Sequence, residues 1–205
     1  MKLYYVPGAC SLSPHIALRE AGLPFKLDRI DVKAGKKTQT GASYVAINPK
    51  GYVPALELDD GQVLTEGAVI VQYIADLKPE TKLAPPNGTL ERVRLQEWLH
   101  YIATELHKGY SPLYQAYAPD EFKAKWKESK VLPRLDFLAK SLEGKKFLMG
   151  DTFTVADGYA FYVLRSWQGA LKGDLSKWKV LADYYARVGE RPSVKAALEA
   201  EAAPV

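Results

Sequence analysis

Cys10 is the only cysteine among the 205 residues of the chain, and it lies in Pro7-Gly8-Ala9-Cys10-Ser11-Leu12-Ser13-Pro14, between a short apolar strand and a helix. A thiol beside a helix N-terminus faces unpaired N–H groups and the positive end of the helix dipole, which stabilise thiolate. A cysteine can equally be a small packing residue, so position alone leaves a chemical and a core role open. With no second cysteine, any redox chemistry at Cys10 takes its other thiol from outside the chain. A second constellation is His100, Thr104, His107 and Ser111, which share one helical face at offsets of four, three and four residues. Two histidines raise the question of a metal. Their offset of seven residues spans roughly 10 Å of helix, whereas shared ligands on a helix are three or four residues apart. His15 belongs to another element, and no metal is expected.

Three further positions carry charge or unusual backbone. Glu66, in Thr65-Glu66-Gly67, opens a helix where the dipole favours a carboxylate; read alone, it is an N-terminal charge. Lys33, Lys36 and Lys37 form the densest basic loop, which is either a solvated loop or a lysine reaching a small anionic ligand. Val53-Pro54 begins a strand, although proline removes a ladder donor there. A cis bond would turn the chain sharply and leave the Val53 backbone groups free to pair with an extended peptide; a rigid turn into the strand is the other reading.

The elements that must position these residues follow from periodicity and punctuation. Lys2–Val6 is a short strand closed by Pro7-Gly8, then a helix begins with Ser11 or Ser13 as N-cap and Pro14 in its first turn. Gly22 and Pro24 end that helix, and Lys26–Val32 alternates as a second strand. A strand from Pro54, a turn at Asp59-Asp60-Gly61 and a strand at Gln62–Leu64 form an antiparallel pair, before a helix from Thr65 to about Leu77. The order βαβ then ββα describes a mixed four-stranded sheet with helices on its faces. Prolines and polar residues at 79–88 make a linker, which separates an α/β domain at 1–78 from an all-helical domain at 89–205. In the second domain Leu95, Leu99, Ile102, Leu106 and Leu113 form one apolar stripe along Thr89–Tyr117. Helices follow at Asp120–Leu142, after Thr154-Val155-Ala156-Asp157, at Trp178–Val188 and at Ser193–Ala202.

Bulk composition narrows the classes. The hydrophobic and charged fractions, 47% and 25%, are those of an ordinary globular protein. The net charge of +4 is mild and dispersed, so no nucleic-acid partner is expected. One cysteine, no signal-peptide pattern and no bilayer-length apolar run lead to the expectation of a cytoplasmic protein without a membrane partner.

The motifs Pro7–His15, Asn48-Pro49-Lys50-Gly51-Tyr52-Val53-Pro54, Thr65-Glu66-Gly67 and Glu105-Leu106-His107-Lys108-Gly109, in that order, resemble the bacterial beta class of glutathione S-transferases over nearly the whole chain. The resemblance implies a thioredoxin-like N-terminal domain and an all-helical C-terminal domain that supplies the electrophile pocket. It implies glutathione as cosubstrate, a hydrophobic electrophile as the other partner, and a homodimer. By resemblance, Val53 and Pro54 meet the cysteinyl part of glutathione, while Glu66 and Gly67 hold the γ-glutamyl end. Lys36 reaches a carboxylate, and Glu105 and Lys108 line the site. His107 would lie near the glutathione sulfur, where it takes a proton or stabilises thiolate. His100 departs from the family pattern, which has asparagine there. Tyr5 and Ser11 are rival thiol activators, because other classes use a tyrosine or serine hydroxyl in this region. Tyr114 and Trp167 are candidates for an apolar wall around the electrophile, or for core. The implied activity is conjugation of the glutathione thiol to hydrophobic electrophiles. The alternatives are thiol transfer or peroxide reduction through a Cys10 mixed disulfide, and a non-catalytic protein that carries ligands or a partner.

Overall fold

The computed structural model describes residues 1–203. Its N-terminal part is built on four short strands, β1 (Lys2–Tyr5), β2 (Lys26–Arg29), β3 (Ala55–Glu57) and β4 (Val63–Thr65), in the spatial order β2-β1-β3-β4. β1 runs parallel to β2, pairing Leu3 with Leu27, and antiparallel to β3, pairing Leu3 with Leu56. β3 and β4 are antiparallel around a turn in which Gly61 adopts a left-handed φ of 84°. Side-chain alternation divides the sheet between two cores. Leu3 and Leu56 pack with Leu12 and Ile16 of α1 (Leu12–Glu20) and Ile70 and Ile74 of α3 (Gly67–Asp76). Tyr4 and Ala55 face Ile30 and Tyr44 on the other side, where Tyr44 opens the single turn α2 (Tyr44–Ile47). The mixed sheet and its flanking helices match the sequence expectation, although β2 stops at Arg29 rather than Val32.

The rest is helical: α4 (Leu90–Tyr101), α5 (Ser111–Tyr114), α6 (Asp120–Trp126), α7 (Leu132–Ser141), α8 (Val155–Gly169), α9 (Lys179–Gly189) and α10 (Pro192–Ala202). The leucine stripe forms as expected: Leu95, Leu99, Ile102 and Leu106 are fully buried. The helix carrying it is not uniform. After α4 the chain winds as a π-helix over Ile102–His107 and as a 3-10 turn over Lys108–Tyr110 before α5. α8 runs through the centre of the domain and starts at the expected capping box, where Asp157 accepts the Thr154 N–H at 2.8 Å. No helix among the described residues is long and apolar enough to cross a membrane.

Two connections tie the helical part to the turn before Cys10. Gly8 turns with φ +72°, a conformation that favours glycine, and its N–H donates to Glu201 Oε2 of α10 at 3.0 Å. The other oxygen of Glu201 lies 3.0 Å from Nδ1 of the buried His15 on α1, and His15 Nε2 accepts from Arg19 Nε at 2.9 Å. The first and last helices therefore hold the Pro7–Cys10 segment between them.

Candidate active site

A cavity of about 640 Å³ lies between the sheet's loops and the helical domain. Cys10, Lys36, Val53, Pro54, Glu66, Gly67, His107 and Lys108, widely separated in sequence, all line it. Cys10 is half-buried at its base and its Sγ donates to the Val53 carbonyl at 3.2 Å. The Val53-Pro54 peptide is cis. The loop before it is fixed by two donors to the Tyr52 carbonyl, Tyr44 OH at 2.8 Å and Asn48 Nδ2 at 2.7 Å.

The expectation of a helix-stabilised thiolate is corrected by burial. Desolvation raises the Cys10 thiol to about 11, against a smaller opposing effect of Lys108 and of the backbone N–H groups of Cys10 and Ser11. The resting group is a protonated thiol. His107 is pushed the opposite way: burial, then the neighbouring Lys108 ammonium, lower it to about 4, so its imidazole is neutral at physiological pH. Its Nδ1 lies 2.8 Å from the hydroxyl of Tyr159 on α8.

Glu66 occupies the N-cap position of α3 without a side-chain capping bond and adopts φ +67°, a strained value for a residue with a Cβ. Its exposed carboxylate meets Lys50 Nζ at 2.6 Å on the cavity wall. Gly67 begins the helix behind it, and a side chain there would only touch the Pro54 ring at 3.7 Å. Of the two adjacent lysines, Lys36 reaches the cavity, while Lys37 is used in backbone pairing with Asp31. Lys36 Nζ lies 5.6 Å and Lys108 Nζ 5.4 Å from the centroid of the exposed Tyr52 ring.

The remaining expected residues lie elsewhere, each for a visible reason. Ser11 is fully buried; its hydroxyl bonds the Val6 backbone at 3.2 Å and braces the end of β1. Tyr5 is buried in the sheet core, where desolvation raises its pKa. Neither hydroxyl reaches the cavity wall. Glu105 points away from the cavity and pairs with Arg134, whose Nε is 2.7 Å away. His100 is exposed and bonds the Gln96 carbonyl at 2.8 Å, one turn back on its own helix. His100 lies on α4, while Thr104 and His107 lie in the π-helical turn that follows it; those two line the cavity and His100 does not. Trp167 is core: it is 2% exposed, donates to the Asp174 carbonyl at 3.2 Å and packs on Tyr110. Tyr114 is exposed, and its hydroxyl bonds Ser166 beyond the cavity wall.

The aromatic wall is instead Tyr159 and Tyr162, neighbours on one face of α8. Tyr52 and Lys50 also line the cavity and were not singled out from sequence. The capping box fixes where α8 starts and residues three apart share a face, but which face of α8 meets the cavity depends on tertiary packing.

Comparison with known proteins bears on the family and the fold. The family model "Glutathione S-transferase, N-terminal domain" matches residues 8–77, and "Glutathione S-transferase, C-terminal domain" matches 104–201. The chain is 45% identical over 201 residues to glutathione S-transferase GstA of Escherichia coli O157:H7, covering 98% of each chain. It is similar to the solved structure of a sphingomonad glutathione S-transferase complexed with glutathione, with 42% identity, full coverage of both chains and a TM-score of 0.94. A bacterial beta class glutathione S-transferase of Sphingomonas chungbukensis superposes with a TM-score of 0.92 at 44% identity, over 98% of this chain and 99% of that one.

Proposed function

The chain belongs to the bacterial beta class of the glutathione S-transferase family and is a glutathione transferase, and from that premise we propose how its residues divide the work. The 1–78 domain holds glutathione and the 89–205 domain closes the cavity over a hydrophobic electrophile. The observation that carries this reading is the contact of Cys10 Sγ with the Val53 carbonyl. An extended peptide paired with the Val53 backbone would bring its own thiol beside Cys10 and His107. Glu66 and the Gly67 N–H then take the γ-glutamyl end, at the start of α3, where the dipole favours its carboxylate. Lys36 and Lys108 take the glycine carboxylate, and Tyr159 and Tyr162 wall the electrophile.

The nucleophile in this reading is the bound glutathione thiolate. Its proton leaves to solvent, it is held beside His107 and the Cys10 thiol, and it forms the new carbon–sulfur bond as the electrophile's leaving group departs. The test is turnover of an aryl halide with glutathione, with calorimetry of glutathione binding. Absence of both removes the assignment of this cavity. A second reading is thiol transfer: Cys10 thiolate attacks oxidised glutathione, forming the mixed disulfide and releasing one glutathione, and a further glutathione thiolate then reduces it. The placement of Cys10 on the cavity favours it, while its raised pKa makes it slow at neutral pH. Mass spectrometry after incubation with oxidised glutathione reads the adduct directly, and Cys10→Ala removes it.

We further propose a cytoplasmic homodimer. Val69 of α3, with Leu90 and Val93 of α4, exposes apolar side chains on adjoining elements and supports self-association. Sedimentation at micromolar concentration tests it; a monomer there rejects it.

A further inference from the structure

We propose that Tyr159 is a positioning residue that fixes His107 as its Nε2–H tautomer, so that the imidazole serves the glutathione sulfur as a hydrogen-bond donor and not as a base. This rests on the reading that glutathione occupies the cavity with its sulfur beside His107. Tyr159 is 4% exposed, and among the described residues its hydroxyl has one hydrogen-bond partner, His107 Nδ1 at 2.8 Å. Two proton arrangements are available. If Nδ1–H donates, the tyrosine oxygen accepts and its own proton, on a residue 4% exposed, has no protein acceptor among the described residues. If the tyrosine O–H donates to Nδ1, the buried hydroxyl is satisfied and the ring proton sits on Nε2 of the half-buried histidine, free to meet a partner in the cavity. Buried donors are paired in folded proteins, so the second arrangement is selected.

The ring has little freedom to escape this choice. Tyr159 and Tyr162 meet it edge-on, with centroids at 5.8 and 5.2 Å and interplanar angles of 70° and 87°. Nε2 has no protein partner among the described residues, and His107 lines the cavity. The charged groups on the cavity are Lys36, Lys50, Glu66 and Lys108, and the other titratable groups are Cys10, Tyr44, Tyr52, Tyr159 and Tyr162. Burial first, and then the ammonium of Lys108 adjacent in sequence, oppose a second proton on the imidazole, which keeps the ring neutral and the tautomer meaningful. A neutral Nε2–H cannot take up the thiol proton through that nitrogen. It can only donate to sulfur, and the proton of glutathione goes to solvent.

Nitrogen-15 spectra of the His107 ring in the ligand-free protein test this without reference to turnover. Between pH 6 and 8 the expected pattern is a protonated Nε2 and a hydrogen-bonded, unprotonated Nδ1. A protonated Nδ1 overturns the proposal. Tyr159→Phe should move the Nδ1 signal to that of a free ring nitrogen and lower kcat about fivefold, the weight of one hydrogen bond, while the KM for glutathione changes less. An unmoved Nδ1 signal would show that Tyr159 sets nothing. His107→Gln places an amide N–H near the Nε2 position and should retain more activity than His107→Asn; the reverse order contradicts a donor at Nε2. If the wild-type protein neither binds nor turns over glutathione, the functional reading fails, and the spectra still decide the tautomer.

Discussion

Burial sets the charge state of Cys10 and of His107, which line the same cavity. It raises the Cys10 thiol to about 11 and lowers His107 to about 4, so two neutral donors line the cavity at pH 7. A neutral cysteine resists electrophiles that a glutathione thiolate attacks, which separates the enzyme's own thiol from its cosubstrate's. Alkylation of Cys10 by iodoacetamide should therefore be slow at pH 8 and keep rising towards pH 11, since only the thiolate reacts. The rate followed by mass spectrometry checks this, and a half-maximum at the ordinary thiol pKa or below it contradicts it. The sign for stability follows from the same shift. The unfolded chain loses this proton first, so the native state binds more protons above the ordinary thiol pKa and loses stability as pH rises towards 11. Tyr52 gives the second expectation at this scale. Its ring lies close to the ammonium groups of both Lys36 and Lys108, at 5.6 and 5.4 Å from the centroid. Tyr52→Leu should raise the KM for glutathione about two- to fivefold with kcat unchanged, and Tyr52→Phe should restore it. Steady-state kinetics decide between a ring effect and none.

At the scale of elements, the parts legible in the sequence are those with local causes. The glycine and proline around α1, the capping box of α8 and the leucines of α4 each act within a few residues, and each element formed where its signal lies. The π-helical turn at Ile102–His107 left no such mark. The buried stripe keeps spacings of four and three residues through it, so apolar periodicity reads the same with or without the extra residue per turn. Periodicity groups His100 with His107, and resemblance to the family assigns His107 to the site; in the structure His100 is exposed outside the cavity and His107 lines it. A similar limit explains Trp167. Periodicity puts it on the apolar stripe of α8, but only tertiary packing decides that Tyr159 and Tyr162, eight and five residues earlier, face the cavity. The start of α3 yields a prediction at this scale. Glu66 carries the strained φ, and Gly67 needs none of glycine's freedom, because a Cβ there meets only Pro54 at ordinary contact distance. Gly67→Ser should fold normally, gain about 0.5 kcal/mol in unfolding free energy and lower the KM for glutathione by adding a hydroxyl donor beside the helix N–H groups. Denaturant titration and kinetics check the two halves separately.

The whole molecule depends on contacts that no local signal announces. Glu201 lies 186 residues from His15 and 193 from Gly8, yet its carboxylate engages both. Arg191 of the segment leading into α10 adds a second tie, donating to Glu20 at the end of α1 through Nε at 2.5 Å and Nη2 at 2.8 Å. The helical domain thus fixes the turn that presents Cys10, and the cavity between the domains inherits its shape from this clasp as well as from the sheet. A buried carboxylate that accepts from a backbone N–H and contacts a buried imidazole leaves both stranded when removed. Glu201→Ala should therefore cost about 3 kcal/mol of unfolding free energy, while Glu201→Gln, which keeps acceptor capacity for the Gly8 N–H, should cost less. Urea titrations of the three proteins at one concentration give the ordering. The site consequence follows from the same geometry: if the clasp positions Cys10, Glu201→Ala should also speed iodoacetamide alkylation at pH 8, because a loosened turn admits water to the thiol and returns its pKa towards the ordinary value. Equal stability or an unchanged alkylation rate would mean that the sheet and α1 hold the Pro7–Cys10 turn without the C-terminal helix.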